Sequence, residues 1–307
     1  MKPVIYIVGP TASGKTAVSV EVAKHFGAEI ISADSMQIYK NMHIASAAPS
    51  EDEKQGIPHH LFEFLNPEEN FSVSQYVNLA NSVIKKIHSR GNIPIIVGGT
   101  GLYVSSLSEN LSFGEESDKQ SVRAALDERA EFEGLNELYE YLKLIDPVAA
   151  AKISPNDKKR ILRAIEIFEI SGKTKTEQDA LSKQNGPVFE NLFIGLGYND
   201  REILYNRINN RVDSMIENGL VNEARLAYNT ARGTAAQAIG HKEFFKYFDG
   251  EIPLEAAVEH LKTQTRHYAK RQLTWFRKNE NINWVYMDAD LNPIDTVIEI
   301  ISDFLHK

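Results

Sequence analysis

The chain has 307 residues, 42% of them hydrophobic and 25% charged, and a formal net charge of −8; this is globular composition, with length for one large domain carrying an insertion or for two domains. The absence of cysteine excludes disulfides, thiolate zinc sites and a cysteine nucleophile, and fits a reducing compartment. No run approaches the length of a membrane span, and the apolar run behind Met1-Lys2-Pro3 is too short for a signal peptide, so a cytoplasmic protein is expected.

Taken in chain order, Val4–Val8 reads as a buried strand and Lys15–His25 as the helix that follows a glycine-bearing loop. "AEIISADS", Ala28–Ser35, is a second strand ending at Asp34, and Ser72–Arg90 has helical apolar spacing. "NIPIIVGGTGLY", Asn92–Tyr103, is a third strand running into Gly98-Gly99-Thr100-Gly101. Strand–helix alternation of this kind predicts a parallel sheet covered by helices. The polar stretch Phe113–Gln120 breaks the pattern, Ser121–Thr176 is helical without a clear strand, and "SKQNGP", Ser182–Pro187, is a second linker. Asn191–Tyr198 is again a strand, Asp200–Phe248 and Leu254–Arg277 are helical, and a last strand and helix close the chain. The expected fold is α/β, a P-loop NTPase-like parallel sheet with an all-helical insertion. The expected divisions are a first part of the core at 1–113, the insertion at 114–189, and the remainder of the core at 190–307.

Residues 9–16, "GPTASGKT", fit the phosphate-loop pattern with Gly9, Gly14, Lys15 and Thr16 in place. Glycines there let backbone N–H groups converge on phosphate oxygens, the helix N-terminus adds a favourable dipole, Lys15 a charge, and the Thr16 hydroxyl a Mg²⁺ ligand. Asp34, at the end of the neighbouring strand, is a magnesium ligand, a general base or a helix cap; spacing leaves the three open. The third strand ends in Gly98-Gly99-Thr100, where an NTPase often has an acidic residue. His59 and His60 have no third ligand at metal spacing.

Charge is segregated. Lys262–Lys278 holds six basic residues and no acidic one, and Lys262, Arg266 and Lys270 share a helix face; Pro155–Lys175 holds six basic against three acidic. A solvated basic face is the plain reading, a polyanion partner the functional one. An ATP-dependent small-molecule kinase explains the loop and Asp34 but leaves the basic clusters idle. A non-catalytic RNA-binding protein explains the clusters but not the loop.

The set of stretches "GPTASGKT", "DSMQIY" at 34–39, "GIPHHL" at 56–61, "GGTGLY" at 98–103, "DPVAAAKISPNDKKRILRAIEI" at 146–167, "QAIGHKE" at 237–243 and "AKRQLTWFRK" at 269–278 resembles the tRNA dimethylallyltransferase (tRNA isopentenyltransferase) family, in family order over almost the whole chain. The resemblance implies transfer of a dimethylallyl group from dimethylallyl diphosphate to the exocyclic amine of the adenosine 3′ of the anticodon, in tRNAs reading codons that begin with U. It implies a diphosphate held by Gly9, Pro10, Thr11, Ala12, Ser13, Gly14, Lys15 and Thr16, with Mg²⁺ at Thr16. Asp34 would be the general base, and Thr11, Lys15 and Arg211 would act on the leaving group. It further implies tRNA contacts at Asp34, Ser35, Met36, Gln37, Thr100 and Arg123, at Lys159, Arg160, Ile161, Leu162 and Arg163, and at Gln237, Ala238, Ile239, Gly240, His241 and Lys242. His241 stands where many members have tyrosine, and either ring can stack and hydrogen-bond. With no cysteine–histidine finger after the last helix, a bacterial-type enzyme is expected; a monomer is the default expectation.

Overall fold

The computed structural model describes residues 1–112, 119–184 and 186–306. In chain order they form β1 (Pro3–Val8), α1 (Lys15–Phe26), β2 (Glu29–Ser32), α2 (His43–Ser46), α3 (Glu51–Lys54), β3 (His59–His60), α4 (Val73–Ser89), β4 (Pro94–Gly98) and α5 (Gly101–Ser108). Next come α6 (Lys119–Phe132), α7 (Leu135–Ile145), α8 (Pro147–Ala150), α9 (Lys158–Ser171) and α10 (Lys175–Ser182). The chain continues as β5 (Glu190–Gly197), α11 (Arg201–Glu217), α12 (Leu220–Thr230), α13 (Phe245–Phe248), α14 (Leu254–Phe276), β6 (Ile282–Tyr286) and α15 (Pro293–Leu305). They divide into two compact units, Met1–Ser108 with Val188–Lys307, and Glu109–Pro187.

The first unit is built on a six-stranded sheet in the order β3-β2-β4-β1-β5-β6, every pair parallel. Alternation along β1 sends Val4, Tyr6 and Val8 to one face, where Tyr76 and Ile84 of α4 and Leu107 of α5 pack. Ile5 and Ile7 go to the other face, against Val18 and Val22 of α1 and Val297 and Ile301 of α15. Both faces are covered, which is why β1 is apolar without interruption. Each such side chain contributes about 1.5–3 kcal/mol by leaving water, and a one-residue slip would exchange the two faces, so the register is firmly set. In that register Val8 lies opposite Gly98 of β4 and Gly195 of β5. The loops that follow β1, β2 and β4 are thereby gathered at one edge of the sheet, where open α/β sheets bind ligands.

The second unit is helical throughout its described residues. Leu126, Leu138, Leu142, Ile161, Leu162 and Ile165 form its core. Asp146 fixes the way α8 meets α10: its carboxylate accepts the N–H of Ala149, the N–H of Thr176 and the Thr176 hydroxyl proton, all within 2.9 Å.

Several elements differ from the sequence reading. The third strand stops at Gly98, because Leu102 and Tyr103 already belong to α5. The two-residue strand β3 pairs with β2 through Ile30–His59 and Ile31–His60 and is too short to leave a periodic signal. Asp200–Phe248 is not continuously helical; after α12 come two 3₁₀ turns, Ala235–Gln237 and Lys242–Phe244, around the left-handed Gly240. The polar break at Phe113–Gln120 falls largely, at 113–118, outside the described residues, as does Asn185 of the second linker.

Candidate active site

The loop between β1 and α1 is shaped by close approach. A Cβ on Gly9 would lie 2.4 Å from the Leu196 carbonyl oxygen on β5, so only glycine permits this path. Ala12 and Gly14 take left-handed φ values of 64° and 92°, and Gly14 caps α1 without any side-chain hydrogen bond. The first-turn N–H groups of α1 are therefore left for a ligand, with the helix dipole behind them and no acidic residue in the turn. Lys15 folds over this loop, its Nζ donating to the Gly9 and Pro10 carbonyls at 3.0 and 2.7 Å. Burial, and then the charge of Arg211, bring the Lys15 ammonium down to about 7, with Asp34 pulling the other way. Arg207 Nε donates to the Ala12 carbonyl at 3.0 Å and clamps the loop from α11.

Asp34 lies just beyond the end of β2. Its Oδ1 accepts the Met36 N–H at 2.9 Å in a local turn, while its own N–H reaches the Ser32 hydroxyl. Burial raises its carboxyl above the usual range against the pull of the Met36 and Gln37 N–H groups, Lys15 and Arg211. A carboxyl held this way accepts a proton more readily than an exposed one, while its cationic neighbours favour the charged form. Thr100, at the head of α5, accepts the Ser35 N–H at 3.0 Å and so fixes the turn that carries Asp34.

Both groups open into one cavity of about 670 Å³. Thr11 to Ala17 form one wall; Asp34, Ser35, Met36 and Gln37 form another; Arg207 and Arg211 of α11 and Tyr268 and Gln272 of α14 close it. Ala45, Ala238, Ile239, Val212, Met215 and Leu261 add an apolar stretch. Arg211 is driven below its usual range by burial, against the attraction of Asp34 and Glu53. Tyr268 is raised by burial and by the Asp34 charge, so its hydroxyl stays protonated. Magnesium takes oxygen ligands and few of them from protein. The Thr16 hydroxyl and the Asp34 carboxylate are such donors on this cavity, so the donor set fits that ion.

The remaining predicted residues are distributed less simply. Gln37 spends its amide inside the fold, accepting from Ser32 and donating to the Ser46 and Ala47 carbonyls. In the 237–242 segment Gln237 and Lys242 are exposed, whereas the Ala238 and His241 side chains are buried. The His241 ring is fully buried and hydrogen-bonds within the fold, with Nε2 2.8 Å from Glu223 Oε1. Glu223 also accepts the N–H groups of Ile44 and Ala45, so the pair ties two cavity-lining segments together. In the helical unit Lys159, Arg160 and Arg163 are exposed on α9, but Ile161 and Leu162 point into the core. Arg163 and Arg123 both bind Glu166 Oε2, at 2.8 and 3.2 Å. On α14 the like-charge row is partly relieved from another element: Lys262 pairs with Asp213 of α11 at 2.7 Å. His60 Nε2 lies 2.7 Å from Glu29 Oε2 and His59 Nδ1 2.7 Å from the Ile57 carbonyl; among the described residues no cluster of three or more His, Asp or Glu is placed to hold a metal.

Among the cavity-wall residues that escaped the sequence reading are Arg207, Tyr268 and Gln272. Arg207 was visible only as one arginine in a helical series. Tyr268 and Gln272 are four apart on α14, a spacing the basic residues around them obscured.

The fold and this cavity define an α/β protein of the P-loop NTPase-like kind, with the glycine loop facing a carboxylate where an NTPase would place its acidic strand end differently. Comparison with known proteins gives the family. The family model described as IPP transferase matches residues 37–279. The tRNA dimethylallyltransferase of Caldanaerobacter subterraneus subsp. tengcongensis is 46% identical over 307 residues, covering 98% of this chain and 97% of the relative. The crystal structure of a Bacillus halodurans tRNA isopentenylpyrophosphate transferase superposes with a TM-score of 0.75 at 40% identity, covering 100% of this chain and 97% of that one. A eukaryotic dimethylallyltransferase captured acting on tRNA superposes with a TM-score of 0.82 at 30% identity, covering 100% of this chain and 80% of that one. The chain belongs to the tRNA dimethylallyltransferase family of IPP transferases. No helix among its described residues is long and apolar enough to cross a membrane.

Proposed function

We propose that this chain is a tRNA dimethylallyltransferase that moves a dimethylallyl group from dimethylallyl diphosphate to N6 of the adenosine immediately 3′ of the anticodon, in tRNAs reading codons that begin with U. The observation that carries this reading is the shared cavity: a helix-capping glycine loop with Lys15 and Arg211 on one side and the Asp34 carboxylate on the other. Family membership removes the small-molecule kinase as the better reading of the same loop.

The N6 amine attacks the allylic carbon, the bond from that carbon to the diphosphate oxygen breaks, and the diphosphate leaves with the electron pair. Asp34 takes the proton that N6 gives up. Its raised affinity for a proton suits a weak nucleophile that must lose one as the bond forms. The backbone of Gly9–Thr16, with Thr11, Lys15 and Arg211, stabilises the charge that develops on the departing diphosphate, the electrostatic part of catalysis. Thr16 would hold a magnesium ion, which would supply further charge neutralisation on the diphosphate. The adenine leaves the anticodon-loop stack to enter the cavity, as base-modifying enzymes require. Ser35, Met36 and Thr100 line its approach, Gln37, Ala238, Ile239, Gly240 and His241 act by shaping the wall, and Gln237 and Lys242 offer exposed groups. Arg123, Lys159, Arg160 and Arg163 of the helical unit contact the tRNA backbone, which accounts for the basic residues there. The enzyme acts in the cytoplasm as a monomer.

The test is one incubation with Mg²⁺, unmodified tRNA and radiolabelled dimethylallyl diphosphate without ATP, beside a tube with labelled ATP alone. Label entering tRNA in the first tube, abolished in Asp34→Ala while tRNA binding persists, supports the reading. No label there, with ATP consumed in the second, refutes it.

A further inference from the structure

The amide of Gln272 is 5% exposed and makes two hydrogen bonds to two different loops. Its Oε1 accepts the Thr11 N–H at 2.9 Å, and its Nε2 donates to the Gly99 carbonyl at 3.0 Å. Thr11 belongs to the glycine loop. Gly99 belongs to the turn between β4 and α5, one residue before Thr100, whose hydroxyl holds the Ser35 N–H next to Asp34. One planar group from α14 therefore spans the two sides of the cavity.

The partner site is shaped for this amide. A Cβ on Gly99 would lie 2.0 Å from Gln272 Nε2 and 3.2 Å from its Cδ, so the missing side chain makes the space. Gly99 is not in the left-handed region, so its backbone would accept alanine; the amide would not. Among neutral side chains of this reach only glutamine offers an acceptor and a donor from one rigid plane; ionised glutamate lacks the donor, methionine lacks both, and asparagine is a carbon shorter.

We propose that Gln272 is a positioning residue for the prenyl transfer: it sets the separation between the loop that holds the leaving diphosphate and the turn that supports the base, Asp34. The proposal rests on the function proposed above. Displacement at an allylic carbon requires nucleophile, carbon and leaving oxygen in line, and a misplacement near 1 Å costs about 10²-fold in rate. Each substrate binds mainly to its own side of the cavity, so loss of the bridge should reduce turnover more than either affinity. A residue that merely filled the core would not show that split.

The experiment is steady-state transfer of the labelled prenyl group to unmodified tRNA by wild type, Gln272→Met, Gly99→Ala and the double variant, each checked for folding by circular dichroism and thermal melting. Gln272→Met should lower kcat about 10²-fold while the KM for each substrate stays within about threefold. Gly99→Ala removes no hydrogen-bonding group yet displaces the amide, and should give the same signature. Because both changes act on one contact, the double variant should be about as slow as either single one rather than slower by the product. The proposal is overturned if a folded Gln272→Met keeps its kcat, if the loss lies wholly in one KM, or if the two changes multiply. Should Gln272→Met fail to fold, Gly99→Ala decides alone, and an unchanged kcat there overturns the proposal. Failure of wild type to transfer the group would instead refute the underlying function, so the two failures are distinguishable.

Discussion

Glu29 opens β2 at the edge of the sheet opposite the cavity, and Glu29→Gln tests how that edge is held. The carboxylate is 4% exposed and receives Arg90 Nε at 3.0 Å and Arg90 Nη2 at 2.9 and 2.7 Å. It also accepts from Asn92 Nδ2 at 2.9 Å and lies 2.7 Å from His60 Nε2, so one side chain joins β2, β3 and the end of α4. Burial pushes the carboxyl up, but the hydrogen bonds from Arg90, Asn92 and His60 and the Arg90 charge outweigh it and hold the group at about 2, against 4.5. That interval corresponds to about 3 kcal/mol, reduced to about 2 because Arg90 keeps one side in water. The folded-state value is depressed, so the stabilisation is complete above the unfolded value near 4.5 and is lost as pH falls towards 2. Urea unfolding of wild type and Glu29→Gln at pH 7, 5 and 3 is the assay. The variant should be less stable by about 2 kcal/mol at pH 7, with the gap narrowing below pH 5 as the wild-type carboxylate protonates, and transfer activity at 25 °C should be kept. Equal stability at pH 7, or a gap that does not change down to pH 3, would refute the reasoning.

Three further outcomes follow from the site. Gly9→Ala forces a Cβ against the Leu196 carbonyl, and isothermal titration should show dimethylallyl diphosphate binding weakened by at least tenfold, an effect of about 1.4 kcal/mol or more; unchanged affinity would mean the loop relaxes freely. Glu223→Ala leaves the Ile44 and Ala45 N–H groups and His241 without their acceptor and should cost about 3 kcal/mol in urea unfolding; a loss under about 0.5 kcal/mol would show that water replaces the carboxylate. Lys159→Ala, at an exposed position on α9, should weaken tRNA binding and lower the steepness of its salt dependence by about 1, and an unchanged slope would remove Lys159 from the interface.

How much of this was legible in the sequence follows the range of the forces involved. Val4–Val8 announced a strand buried on both faces, and Gly9, Gly14, Lys15 and Thr16 announced the loop, because apolar runs and glycine conformations act within a few residues. Asp34 could be placed at a strand end, but spacing left it as base, ligand or cap; that it shares one cavity with Lys15 and Arg211 is a tertiary fact no spacing records. The basic row on α14 read as a solvated face or a polyanion surface, and that Lys262 finds Asp213 on another helix left no mark along the chain. The burial of His241 was not legible, because its partner, Glu223, stands 18 residues away and carries no local signal.

The sheet strands inside the core, the glycine loop and the helical character of the segment between the two linkers all follow from local backbone preference and burial periodicity, which a chain carries along its length. Which distant groups share the cavity is set by how the folded elements meet. Thr11 and Gln272 stand 261 residues apart, and Gly99 and Gln272 stand 173 apart. A hydrogen bond between such groups exists only after the sheet has set the register of its strands and α14 has docked across their ends, so no pattern along the chain records it.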